Sequence, residues 1–194
     1  MRNAINLSPL AHRYALGTAL SASIEDDGKA VANIVTRFDT DVVLIPHVVC
    51  DFNEADDDLR FLRAVRATIP PKVADRVQVL EEDAGFLGIR QRMDGCSVVI
   101  AARMHCAINA LSHLIPMVFL SYSQKAPGMA RYVYGHERWV VPISDVNSGR
   151  LLRVIGDVLA NQDEIRSYLA RRLPEILADA RSGVAALAEV IGGR

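Results

Sequence analysis

Four groups of polar residues have the types and spacing to handle an anionic substrate and move a proton. Arg103 and His105 stand two apart, directly after the apolar run Val98-Val99-Ile100-Ala101. Tyr122, Ser123 and Lys125 follow a second run, Met117-Val118-Phe119-Leu120. Asn6 and Ser8 close the first apolar stretch, and His47 follows Val42-Val43-Leu44-Ile45 and a proline. An arginine can clamp a planar carboxylate through two parallel hydrogen bonds. A lysine is a point charge suited to phosphate, and a histidine titrates where proton transfer at neutral pH needs it. Singly, each has a plainer role: an arginine after a strand pairs with a carboxylate or snorkels, a histidine caps a helix, a lysine lies on the surface. Their joint placement at the ends of successive apolar runs carries the functional reading.

Each of those runs has the length of a buried strand. Val77-Gln78-Val79-Leu80 and Trp139-Val140-Val141-Pro142 bring the expected strands to six. Helical spacing of apolar residues fills the intervals: residues 26–38, 59–69, a short stretch over 86–93, then 107–114 and 124–134. Asp26 and Asp27 are expected in the first turn of their helix, where negative charge suits the dipole. The acidic segment 51–58 reads as a loop whose last residues, Asp56-Asp57-Asp58, cap the next helix. From Ser148 to the end the pattern is helical, and Pro174 is an expected kink. Strands alternating with helices imply a parallel sheet with right-handed crossovers. The expected fold class is therefore α/β: a Rossmann-like parallel sheet with flanking helices over residues 1–147 and a helical C-terminal tail, 148–194, packed on the same domain. In such sheets the loops after the strands converge on one crevice, where helix N-termini favour phosphate or carboxylate.

With 194 residues, 51% hydrophobic and 23% charged, the chain can bury one sizeable core. A net charge of -1 gives no electrostatic case for nucleic acid. No apolar run approaches the roughly 20 residues that span a bilayer, so no transmembrane segment is expected. The expected location is cytoplasmic, with any membrane association made through the substrate. Cys50, Cys96 and Cys106 are scattered and odd in number, which disfavours disulfide and zinc scaffolds. Cys106 adjoins His105 but reads best as a small apolar residue on a buried helix. No Walker loop, GxGxxG, HExxH or GxSxG is present.

Arg103-Met104-His105, then Ala110, Ile115-Pro116 and Tyr122-Ser123-x-Lys125 resemble the C-terminal half of the polysaccharide pyruvyl transferase family. Asn6-Leu7-Ser8-Pro9, Ile45-Pro46-His47 and Asp57-Asp58 add to the likeness, which runs from about Asn6 to about Val141. Leu114 stands where the family usually has glycine, a departure expected to alter how closely the backbone approaches a ligand.

The resemblance implies one half of a glycosyltransferase-B fold of two facing Rossmann-like domains, this half binding the donor. It implies transfer of an enolpyruvyl-derived group from phosphoenolpyruvate to a sugar of a cell-surface polysaccharide or its precursor, giving a pyruvate ketal. On the matching positions Arg103 would hold the donor's carboxylate or phosphate. His105 would be the general acid or would stabilise the leaving phosphate, and Lys125 would add positive charge. Tyr122, Ser123, Asn6, Ser8 and His47 complete the expected substrate-binding set. The expected partners are phosphoenolpyruvate, as donor substrate, and a sugar or lipid-linked oligosaccharide acceptor. No cofactor or metal is expected. The chain is short for the family, so an N-terminal domain, missing or separate, is a further expected partner, and activity of this polypeptide alone is doubtful. Two rival readings stand beside this one. The first is a nucleotide-sugar glycosyltransferase or epimerase half-domain. The second is a non-catalytic reduced domain that binds a partner.

Overall fold

A computed structural model of the chain describes residues 1–17, 20–50 and 52–192; Asp51, the first residue of the expected acidic loop, lies outside them. The elements run β1 (Arg2–Asn6), α1 (Pro9–Leu16), α2 (Leu20–Phe38), β2 (Asp41–Leu44), α3 (Asp58–Thr68), α4 (Pro71–Ala74), β3 (Val77–Val79), α5 (Gly85–Met93), β4 (Val99–Ala101) and α6 (Met104–Ser112). They continue with β5 (Met117–Ser121), α7 (Lys125–Tyr134), β6 (Val140–Pro142), a 3-10 turn over Ile143–Asp145, α8 (Gly149–Ala160) and α9 (Gln162–Gly192).

The six strands form one sheet in the order β3-β2-β1-β4-β5-β6, every neighbouring pair parallel. The chain starts in the middle, winds out to β3, and returns to place β4 beside β1 in register Ile5 to Ile100. The winding direction reverses between those two strands, and in open sheets of this kind the binding crevice lies at the carboxyl ends beside that reversal. Helices on both faces explain why the strands are continuous apolar runs rather than alternating ones. Ile5, Leu44, Ile100, Val118, Phe119 and Leu120 are at most 2% exposed. Leu151 and Ile155 of α8 and Ile165 and Leu169 of α9 belong to the same buried cluster as the strands, so α8 and the first turns of α9 pack against the sheet. The fold is the α/β, Rossmann-like sheet with flanking helices that the alternation predicts.

Several expectations need correction. Ser8-Pro9 ends a strand but also starts α1, with Ser8 at the N-cap and Pro9 at the first helical position, where its missing N–H costs nothing. Gly17 closes α1 in the left-handed region (φ 56°). Helix α2 begins at Leu20, so Asp26 and Asp27 lie in its second turn and do not serve its N-terminus. Asp27 is instead fully buried, its Oδ2 2.8 Å from His12 Nε2 of α1. Pro174, the expected kink, lies inside α9, which continues as helix to Gly192. His136 is half-buried between the exposed Gly135 and Glu137, stacking on Tyr134 at 5.9 Å and meeting Trp139 edge-on.

Leu114 has a positive φ of 59°. It follows the C-cap of α6, where the Ile115 N–H returns to the Ala110 carbonyl at 3.1 Å. This is the left-handed position that glycine fills without strain. It lies before β5, at the sheet edge away from the crevice. The departure from glycine therefore acts on helix termination, not on backbone approach to a ligand.

Candidate active site

Three strand ends are tied together by one amide. Asn6, the last residue of β1, is fully buried. Its Nδ2 donates to the Ile45 carbonyl after β2 (2.9 Å) and to Asp58 Oδ2 (3.4 Å), and its Oδ1 accepts from the Arg103 N–H after β4 (2.9 Å). All its hydrogen-bonding atoms are thus engaged within the protein, which gives Asn6 a positioning role.

Asp58 is the residue that sequence reasoning underrated. Of the acidic run, Asp57 is the helix cap, its carboxylate accepting from the Arg60 N–H. Asp58 is the first residue of α3, and its side chain is 0% exposed. Its Oδ2 accepts from the backbone N–H groups of His47 (3.1 Å) and Val48 (3.2 Å). Arg103 donates to it through Nη2 (2.8 Å to Oδ1) and Nε (3.2 and 3.3 Å). Burying both charges costs several kcal/mol per ion before pairing. Only this density of donors makes an ionised carboxylate tolerable there. Two acids in succession at a helix start were the available signal, since only one can be the N-cap.

The consequence for Arg103 is direct. Its side chain is 13% exposed, its Nε–Nη2 edge faces Asp58, and Nη2 also donates to the Asp56 carbonyl at 3.0 Å. Arg103 is therefore not the free two-pronged clamp that its type suggests. It is a fixed cation whose Nη1 has no hydrogen-bond partner among the described residues.

His105 stands on the first turn of α6 and is exposed. Its ring lies 6.3 Å from that of His47 at 26°. His47 is half-buried and its pKa is lowered, first by desolvation. The positive charges of His105 and Arg103 act in the same direction, against a backbone hydrogen bond and Asp58, which raise it. Its Nε2 is buried without a partner among the described residues. The next residue after His105, Cys106, is fully buried; burial, and then the Asp58 charge, push its thiol far up, so it is no nucleophile.

At the end of β5, the Ser121 hydroxyl donates to the Ser123 carbonyl (3.0 Å), and Ser123 Oγ accepts from the Lys125 N–H (3.4 Å). Those bonds shape the turn that starts α7 with Lys125, exposed and without an ion pair among the described residues. Tyr122 is half-buried, its ring 6.3 Å from that of Tyr14 on α1. Ser8 is fully buried, and its hydroxyl finds no partner among the described residues. Asn6, Ser8, His47, Asp58, Arg103 and His105 thus gather around the ends of β1, β2 and β4. Tyr122, Ser123 and Lys125 extend the same edge past β5. Among the described residues no three His, Cys, Asp or Glu side chains converge as a metal-binding set.

This edge coincides with a recognisable sequence signature. The family described as polysaccharide pyruvyl transferase matches residues 15–124, more than half of the chain. The chain belongs to the polysaccharide pyruvyl transferase family. The matched stretch takes in His47, Asp58, Arg103, His105, Tyr122 and Ser123 and stops one residue before Lys125. Among curated proteins, the amylovoran biosynthesis protein AmsJ of Erwinia amylovora is 24% identical over 101 residues, which is 52% of this chain. The chain spans only 24% of that relative's length. Among solved structures, the alpha,alpha-trehalose 6-phosphate synthase of Burkholderia multivorans superposes on all of this chain and 44% of its own, with a TM-score of 0.57 and 14% identity. That likeness is one of fold alone, and the fold is one half of the glycosyltransferase-B kind.

Proposed function

We propose that this chain carries the donor site of a pyruvyl transferase, taking phosphoenolpyruvate as donor and a sugar of a cell-surface polysaccharide or its precursor as acceptor. The observation that carries the reading is the placement of His105 on the first turn of α6, beside the fixed Arg103, at the switch point of the sheet. Family membership supports the transferase role.

The chemistry asks for what this edge offers. Phosphoenolpyruvate brings a carboxylate and a phosphate, which need cations and helix N-termini. Arg103 Nη1 and Lys125 Nζ supply the cations from the starts of α6 and α7. Forming the ketal adds two sugar hydroxyl oxygens to C2 of the donor. As the first oxygen attacks C2, His105 gives a proton to the methylene C3, which becomes the methyl group. As the second attacks, the C2–O bond to phosphate breaks. The hydroxyls lose two protons: one restores His105 and the other leaves with phosphate. His47, with its lowered pKa, is the neutral neighbour that accepts a hydrogen bond without adding charge.

Calorimetric titration with phosphoenolpyruvate tests the reading. Binding is expected in the parent, with Lys125→Ala weakening it about tenfold, roughly the worth of one charge-assisted contact. Uridine diphosphate is expected to give no heat. Absence of phosphoenolpyruvate binding, or binding indifferent to both Lys125→Ala and His105→Ala, overturns it.

A further inference from the structure

Helix α1 is held at the crevice by its own side chains. Ser8 starts it at the end of β1, and Arg13 pairs with Asp56, whose backbone carbonyl accepts from Arg103. The next residue, Tyr14, takes no part in that network. It is 75% exposed, a large aromatic ring that the core does not use. Its ring centroid lies 6.3 Å from that of Tyr122, with the planes inclined at 47°. Tyr122 leads directly into Ser123 and Lys125. A helix tied through Asp56 to the cation site therefore also presents an aromatic pair, whose second ring stands three residues before the exposed Lys125.

Two inclined tyrosine rings at a polar rim have a specific ligand chemistry. An aromatic face packs against the apolar C–H face of a pyranose, while its phenol and nearby polar side chains meet the ring hydroxyls. Tyrosine offers this contact area at little entropic cost, since only two torsions are fixed. Packing alone does not account for the pair: a ring placed for the core would be covered, and Tyr14 is not.

We infer that Tyr14 and Tyr122 form the platform on which the sugar ring of the acceptor lies, with its reacting hydroxyls turned toward the donor site. This rests on the proposed pyruvyl transfer and adds to it the class of ligand bound at α1. Tyr14 supplies the exposed face and Tyr122 the half-buried wall. Arg13 and Asp56 hold the platform at a fixed distance from Arg103.

Saturation-transfer NMR with methyl galactoside and methyl glucoside as probes tests the platform, and calorimetry with phosphoenolpyruvate on the same variants reads the donor site separately. At least one glycoside is expected to bind with its C–H face saturated most strongly. Tyr14→Ala is expected to weaken that binding about tenfold, while Tyr14→Phe, which keeps the ring, retains most of it. Binding of neither glycoside, or equal binding by parent and Tyr14→Ala, overturns the platform. So does a loss in Tyr14→Phe as large as that in Tyr14→Ala, because a ring face would then not be the contact. Glycoside binding that depends on Tyr14 in a protein indifferent to phosphoenolpyruvate would uphold the platform and sink the donor reading. Phosphoenolpyruvate binding with no glycoside binding would do the reverse.

Discussion

Asp58 and Arg103 are 45 residues apart in sequence and share a salt bridge of 2.8 Å with little access to water. Removing one partner of such a pair strands the other charge, at a cost of about 3–5 kcal/mol. Asp58→Ala is therefore expected to lower unfolding free energy by about 3 kcal/mol in urea titration. Arg103→Ala should cost nearly as much, and the double variant should fall well short of the sum. Additive losses would show that the two side chains do not act as a unit. The pair also explains why the arginine was easier to find in the sequence than its role. Arg-x-His after an apolar run has a local signature. A carboxylate recruited from another strand's loop has none, and Asp56-Asp57-Asp58 reads locally as a cap, which is true of Asp57 alone.

The elements divide in the same way. Strands β4 and β5 were legible because a parallel strand covered on both faces is an unbroken apolar run, and Val99–Ala101 and Met117–Ser121 are such runs. Helix α1 escaped because it is eight residues long and its start signal, Ser8-Pro9, also ends a strand. The true start of α2 was masked by Asp26 and Asp27, which imitate a first turn although Asp27 is buried against His12. At the far end of α6, Leu114 holds a left-handed conformation that costs an L-residue about 1–2 kcal/mol. Leu114→Gly is therefore expected to be more stable than Leu114→Ala by about 1 kcal/mol, the reverse of the order in a helix interior. Thermal or urea unfolding of the two variants checks it, and alanine proving the better replacement would refute the strained turn.

At the scale of the whole molecule, the winding order sends the loops after β1, β2, β4 and β5 to one edge, and the residues with chemistry lie on those loops. The opposite edge carries the aromatic cluster of Tyr134, His136 and Trp139. The two edges share a pH response. His47 and His136 both have pKa values lowered by burial from an ordinary 6.5. Between each lowered value and 6.5 the unfolded chain binds more protons than the folded one, so stability rises with pH across that window, falls as pH drops through it, and levels off below the folded value. Asp27, whose pKa is raised by burial, opposes this from 3.8 upward, because its folded form keeps a proton longer. Urea midpoints measured from about pH 7 to about pH 5 are expected to fall more steeply in the parent than in His47→Gln. Parallel curves would mean that His47 titrates alike in both states.

The claim on which the rest depends is that the carboxyl edge around Arg103 and His105 receives phosphoenolpyruvate. A backbone-amide NMR titration with that compound addresses it residue by residue. The account predicts saturable shifts centred on Arg103, His105, Ser123 and Lys125, with Trp139 and Tyr168 at the far side unmoved. No saturable shifts, or shifts gathered around Trp139 and Tyr168, would contradict it.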